Sequence, residues 1–317
     1  MEGILNSLLN NKEWLFSGLG IFVITGIWSY FKSKKNNVET KIYNTILVKD
    51  DTGIWNEDSE KNVKEKSKVD LVVDRFIKVY EAHGIQQNQI VTFVDKEFNL
   101  KLKDFKNNES ILEILDNDLI EWTCNKFGVK RDWIDGTSDR IYESVDYYKE
   151  VPKFIKDISE LVKNKNDLEL FAFKEGELDR ENEYQDIVLL IRYSIGKNNS
   201  QTVYRYTPIS TCWKWGYWRS RYQLKSIFYI CEKLHIFING YDLKDKKLIA
   251  HGKCFPSEML QTIPISITWY PEDYVDLISQ NFQAKEIDET EKVREYIKQE
   301  NYIQYLNQAI LNLKESQ

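Results

Sequence analysis

The hydrophobic and polar positions divide this chain into stretches of different period. Trp14–Phe31 runs for eighteen residues without a charge, and Lys32, Lys34 and Lys35 follow at once. At ~1.5 Å rise per residue such a helix extends about 27 Å, enough to cross a hydrocarbon core. Trp14, Trp28 and Tyr30 lie near its ends, where amphipathic rings favour the membrane interface. The charges before the run are Glu2, Lys12 and Glu13, which is not the basic start of a cleaved signal peptide. The lysines after it predict a single-pass cell-membrane protein with its N-terminus outside and its body cytoplasmic. Residues 1–35 then form the anchor, and the polar stretch 36–68 reads as a charged linker.

From residue 69 the period becomes helical. Val69, Val72, Val73, Phe76, Ile77 and Tyr80 fall on one face, and Gly84 ends the helix. Residues 85–94 predict a short second helix, and 118–136 a helix, a turn at Gly128 and another short helix closing at Gly136. Leu119, Phe127, Gly128, Val129, Trp133, Ile134 and Gly136 carry a pattern that resembles the closing helices of the Cro/lambda-repressor class of helix-turn-helix domains. The resemblance implies a five-helix domain over 69–140. It places the DNA-reading helix within 98–114, which offers Lys101, Lys103 and Lys106, no arginine, and the acids Glu109 and Glu113. Acidic residues outnumber basic ones over 69–140, whereas phosphate neutralisation needs the reverse. DNA is therefore not the expected partner. Protein contact is the main reading of this module, and a membrane-tethered transcription regulator is the alternative.

Beyond residue 150 the chain alternates between helical and extended patterns. Val151–Val162 predicts a helix. The apolar runs 168–173 and 186–193 predict strands, with 201–206 returning from a turn over 194–200. The acidic loop 174–185 between the first two strands reads as solvated; a hydrolase or nuclease built on the carboxylates of 174–187 is a further alternative. A helix is expected over 217–234, strands over 235–241 and 247–254, a short helix from Pro256 and a strand over 265–269. The fold class expected is α+β: a transmembrane helix, the five-helix domain, a mainly antiparallel α+β domain over 141–285 and a C-terminal helix over 286–317. In that last helix Ile303, Leu306, Ile310 and Leu313 follow three- and four-residue steps. They predict packing on the body and leave a homodimer open.

Charge and chemistry change this picture at one place. The chain is acidic overall, with a formal net charge of −6, yet residues 202–225 contain no acid and carry Tyr204, Arg205, Tyr206, Trp213, Lys214, Trp215, Tyr217, Trp218, Arg219, Arg221, Tyr222 and Lys225. Such a mixture can stack a ring on tryptophan and hold a phosphate with arginine. Arg219, Arg221, Trp218, Trp215 and Arg205 are the candidate ligand-binding residues. The competing expectation is that the tryptophans fill the core and the arginines pair with the acidic loop. Cys231, His235, His251 and Cys254 have spacings that zinc sites use, and are weak metal candidates. No phosphate loop, glycine-rich dinucleotide turn, nucleophile elbow or zinc-protease motif is present. No cofactor and no catalytic residue is therefore predicted. The leading expectation is a membrane-anchored binding or sensor protein that recognises a protein partner or a small anionic ligand through its α+β domain. A short anchor joined to a sensor body recurs in prokaryotic stress and defence signalling, which is an analogy of layout alone.

Overall fold

The computed structural model describes residues 67–165, 167–263, 268–275 and 287–315, all within one compact unit spanning 65–317. The chain enters through helix α1 (Lys68–Ala82), where Ser67 and Asp70 exchange backbone and side-chain hydrogen bonds in a capping box. Short helices α2 (Ile90–Phe93) and α3 (Asn108–Ile114) follow, then α4 (Asn117–Phe127) and α5 (Arg131–Ile134). The Asp116 carboxylate accepts the Leu119 N–H at 2.8 Å and caps α4, and Gly128 ends it in the left-handed region at φ 75°. Asp116→Ala is expected to lower stability by ~1 kcal/mol, read as a shifted midpoint in urea unfolding with an unchanged slope.

Helix α6 (Val151–Asn164) leads into β1 (Glu169–Lys174), β2 (Asp186–Asn198) and β3 (Gln201–Lys214). A two-residue loop joins β2 to β3, with Asn199 at φ 54°, as a tight hairpin requires. Helix α7 (Trp218–Lys233) crosses to β4 (Phe237–Asp242). Then come α8 (Lys247–Ala250), α9 (Pro256–Thr262), the two-residue β5 (Thr268–Trp269), α10 (Ile287–Gln299) and α11 (Tyr302–Lys314).

The strands form one sheet in the order β3-β2-β1-β4-β5. The central pair β1 and β4 is parallel, with Phe171 opposite Asn239, and the other neighbours are antiparallel. Both faces are buried. Leu170, Ala172, Ile187 and Leu189 pack with Phe154, Ile158, Leu224, Phe228, Val293 and Leu306 from α6, α7, α10 and α11. Phe171, Phe173, Val188 and Leu190 pack with Phe76, Tyr80, Phe127 and Ile249 from α1, α4 and α8. A strand covered on both faces reads as a continuous apolar run because neither set of alternating side chains meets water. That explains the unbroken sequences of β1 and β2.

This architecture corrects the expected fold class. The body is a mixed α/β structure of three layers around a mixed sheet, not a five-helix domain followed by a separate α+β domain. The N-terminal helices cover one face of the sheet and share its core. The strand expected over 247–254 is instead the short helix α8 and a loop, and the single C-terminal helix is two helices broken at Asn301, φ 59°. The membrane assignment is corrected as well. No helix among the described residues is long and apolar enough to cross a membrane. The stretch Trp14–Phe31, with Trp14, Trp28, Tyr30, Lys32, Lys34 and Lys35, lies outside the described residues. The single-pass localisation and the membrane as a partner therefore have no support, and the helix-turn-helix and signalling descriptions gain none.

Candidate functional site

The parallel strands β1 and β4 end side by side, with Lys174 opposite Asp242. The Lys174 ammonium donates to the Asp242 carboxylate at 3.0 Å and to the Gly176 carbonyl at 2.7 Å, which joins the two strand ends. At the same end of the sheet β2 begins at Asp186, opposite Lys214, the last residue of β3. In open α/β sheets the crevice outside the carboxyl ends of parallel strands is the usual ligand position.

Three lysines converge on Asp186 there. Lys246 Nζ and Lys247 Nζ lie 3.2 Å from its carboxylate oxygens and Lys214 Nζ lies 3.5 Å away. The Asp186 side chain is 2 % exposed, whereas those of Lys214 and Lys247 are 44 % and 57 % exposed. Lys246 is buried and also faces Glu175 at 3.6 Å. Burial pushes the Asp186 carboxyl up, but Lys246 and then Lys247 hold it below the usual carboxylate range. The half-buried Cys212 thiol sits among the same charges; burial and Asp186 push it up. The buried carboxylate thus fixes the positions of exposed ammonium groups, and cations outnumber anions in the cluster.

The acidic loop after β1 closes over this end of the sheet. Gln185 ties it together, accepting from the Asp179 N–H at 2.7 Å and donating to the Glu175 carbonyl at 3.2 Å. The Trp215 N–H then reaches the Gln185 carbonyl at 2.9 Å. Gly216 lies directly against Asn182 and Glu183 of the loop, where a Cβ would meet the Asn182 carbonyl oxygen at 2.8 Å. Tyr184, Tyr217 and Trp218 flank that contact and are all exposed.

The structure divides the other sequence candidates. Trp215 is fully buried, edge-on to Tyr274 at 5.3 Å, and belongs to the core. Arg221 is buried too. Its guanidinium forks onto Glu289 in the first turn of α10 and donates to the Trp215 carbonyl. The fully buried Lys225 joins the same carboxylate at 3.0 Å. The partner of Arg221 is thus a residue of the C-terminal helices and not the acidic loop. From that loop, Arg180 reaches Asp288 at 3.0 Å and Glu289 at 3.6 Å. Burial would raise the Glu289 carboxyl, but the bonds from Arg221 and the charge of Lys225 bring it down to about 2. Arg205 lies nine residues before Lys214 on β3, against Gly128, where it donates to the Asn125 carbonyl. It is not brought together with Arg219 and Trp218. Those two remain at the exposed start of α7, with the Arg219 guanidinium 5.0 Å from the Trp218 ring.

The metal candidates are separated. Cys231 lies in the core on one face of the sheet and Cys254 packs against the core on the other. Burial raises both thiols, Cys254 to about 12. His235 and His251 are exposed. Among the described residues no group of three His, Cys, Asp or Glu is placed to hold a metal ion. Of the carboxylates proposed for a hydrolase, Asp186 is committed to lysines and Glu175 faces Lys246. Lys101, Lys103 and Lys106 are exposed on and beside the 3-10 turn Leu102–Phe105 before α3, not on an α-helix.

Sequence reasoning missed Lys246 and Lys247, and took Asp186 only as one of the loop carboxylates of a hydrolase. With Lys214, their convergence joins the start of β2, the end of β3 and the start of α8. The local signal was the basic pair 246–247, which the expectation split between a turn ending at Lys246 and a strand starting at Lys247. The fold and this site define a three-layer α/β protein with a cluster of lysines around Asp186 at the carboxyl ends of its parallel strands. No protein family, no curated protein and no solved structure matches the chain.

Proposed function

We propose that this chain is a binding protein that takes a small anionic ligand at the lysine cluster beside the ends of β1 and β4. The observation that carries the reading is the convergence of three lysines on the single buried carboxylate of Asp186. A structural ion pair needs one cation for one carboxylate. Here the cations exceed Asp186 and Glu175 together, and the two exposed ammonium groups have donors to spare for a phosphate or carboxylate. Because Asp186 orients them before binding, less side-chain entropy is lost when an anion arrives.

Calorimetry of the full chain with inorganic tripolyphosphate at low ionic strength tests this. Binding is expected, and it weakens as salt is added. The Lys214→Ala/Lys247→Ala double variant is expected to bind at least about tenfold more weakly, since each lost charge-assisted hydrogen bond is worth ~1.5–3 kcal/mol. Both side chains are largely exposed, so the fold is expected to survive, as the variant's melting curve would show. Absence of binding, or equal binding by the variant, refutes the reading.

A further inference from the structure

Lys214 and Trp218 are four residues apart, so their α-carbons lie within about 14 Å of each other. Exposed ammonium groups and exposed rings therefore share one end of the sheet. The rings sit on two segments locked together at Gly216, since Tyr184 follows the loop residues that touch it and Tyr217 and Trp218 follow it directly. Tyr184 is 88 % exposed and Trp218 46 %. An isolated exposed aromatic needs no explanation. Three of them beside a surplus of cations, in a chain of net charge −6, form a surface with two chemistries. Arg219 over the Trp218 ring adds another cation, and Tyr222 meets the same ring at 5.3 Å, edge to face.

We propose that the anionic ligand is a nucleotide, its base stacked on Trp218 and its phosphates held by Lys214 and Lys247. This rests on the anion-binding reading above and adds recognition of the ring. Aromatic rings stack any base on their π-face, and arginine beside the ring adds its charge. A free nucleotide suits the site better than a nucleic-acid strand. A strand follows an extended groove of positive charge, whereas the lysines here gather on the single carboxylate of Asp186 in a chain of net charge −6.

The test compares the four ribonucleoside triphosphates with inorganic tripolyphosphate, titrated into the full chain. At least one nucleotide is expected to bind about fivefold or more tighter than tripolyphosphate. Trp218→Ala is expected to remove that preference, and Trp218→Phe, which retains a ring, to keep most of it. If nucleotides and tripolyphosphate bind equally, or Trp218→Ala keeps the preference, the base-stacking proposal is overturned while the anion-binding reading stands. If none of these compounds binds, both fail. If a single-stranded oligonucleotide binds more tightly than every mononucleotide, the free-nucleotide proposal is overturned in favour of a strand.

Discussion

Glu289→Ala is expected to destabilise the chain by ~3–5 kcal/mol, the range found when one partner of a buried ion pair is removed. The reason lies in what remains. Arg221 and Lys225 stay buried in the core under α10, and both have lost the carboxylate that received them. Desolvated cations without their carboxylate cost more than the pair contributes when intact. The loss should be felt first where α10 and α11 rest on the body, as faster amide exchange over residues 287–314. Chemical denaturation monitored by circular dichroism checks the magnitude. A change under about 1 kcal/mol would mean that the cluster is open to water.

The same carboxylate makes stability depend on pH. Its folded-state value of about 2 lies below the ordinary value of 4.5. Its contribution is therefore fully present above about pH 4.5 and is lost as the pH falls toward 2. The shift corresponds to about 3 kcal/mol. Glu289→Gln, which cannot ionise, should remove this part of the acid dependence and be less stable at neutral pH.

Gly240→Ala is the second change with a large expected effect. Gly240 lies in β4 opposite Trp269 of β5. A Cβ there would come closer than 3.0 Å to the Trp269 carbonyl oxygen and to Pro271 Cδ. Neither can swing aside as a flexible side-chain tip could, because the oxygen is backbone and the proline ring begins the 3-10 turn Pro271–Tyr274. Relief requires β5 to move off β4. That movement disturbs Trp269, whose indole N–H donates to the Ala172 carbonyl at 3.2 Å and whose ring meets Phe228 and Tyr274. The expected loss is ~3 kcal/mol, at the upper end for overpacking, with a changed tryptophan near-ultraviolet signal. Retention of wild-type stability would show that β5 is not held against β4 in solution.

The sequence by itself determined most of the local structure. The helical period of 69–80 with Gly84 behind it and the apolar runs of β1 and β2 each encode one element through the side chains that must be buried. The strand expected over 247–254 failed because alternation over so few residues does not separate a strand from a short helix whose one face is buried. Only the tertiary structure decided how the elements combine. β1 pairs in parallel with β4, nearly seventy residues away, and no local period records that pairing. The N-terminal helices resembled a separate domain because a helix carries the same apolar stripe whether it packs on helices or on a sheet. The aromatic, basic segment 202–225 was legible as unusual, but its side chains had no assigned direction until the fold sent Trp215 and Arg221 into the core and left Trp218 and Arg219 outside. Asp186 and its lysines became a site only in three dimensions. An ion cluster depends on distance in space, and these residues come from three separate stretches of the chain.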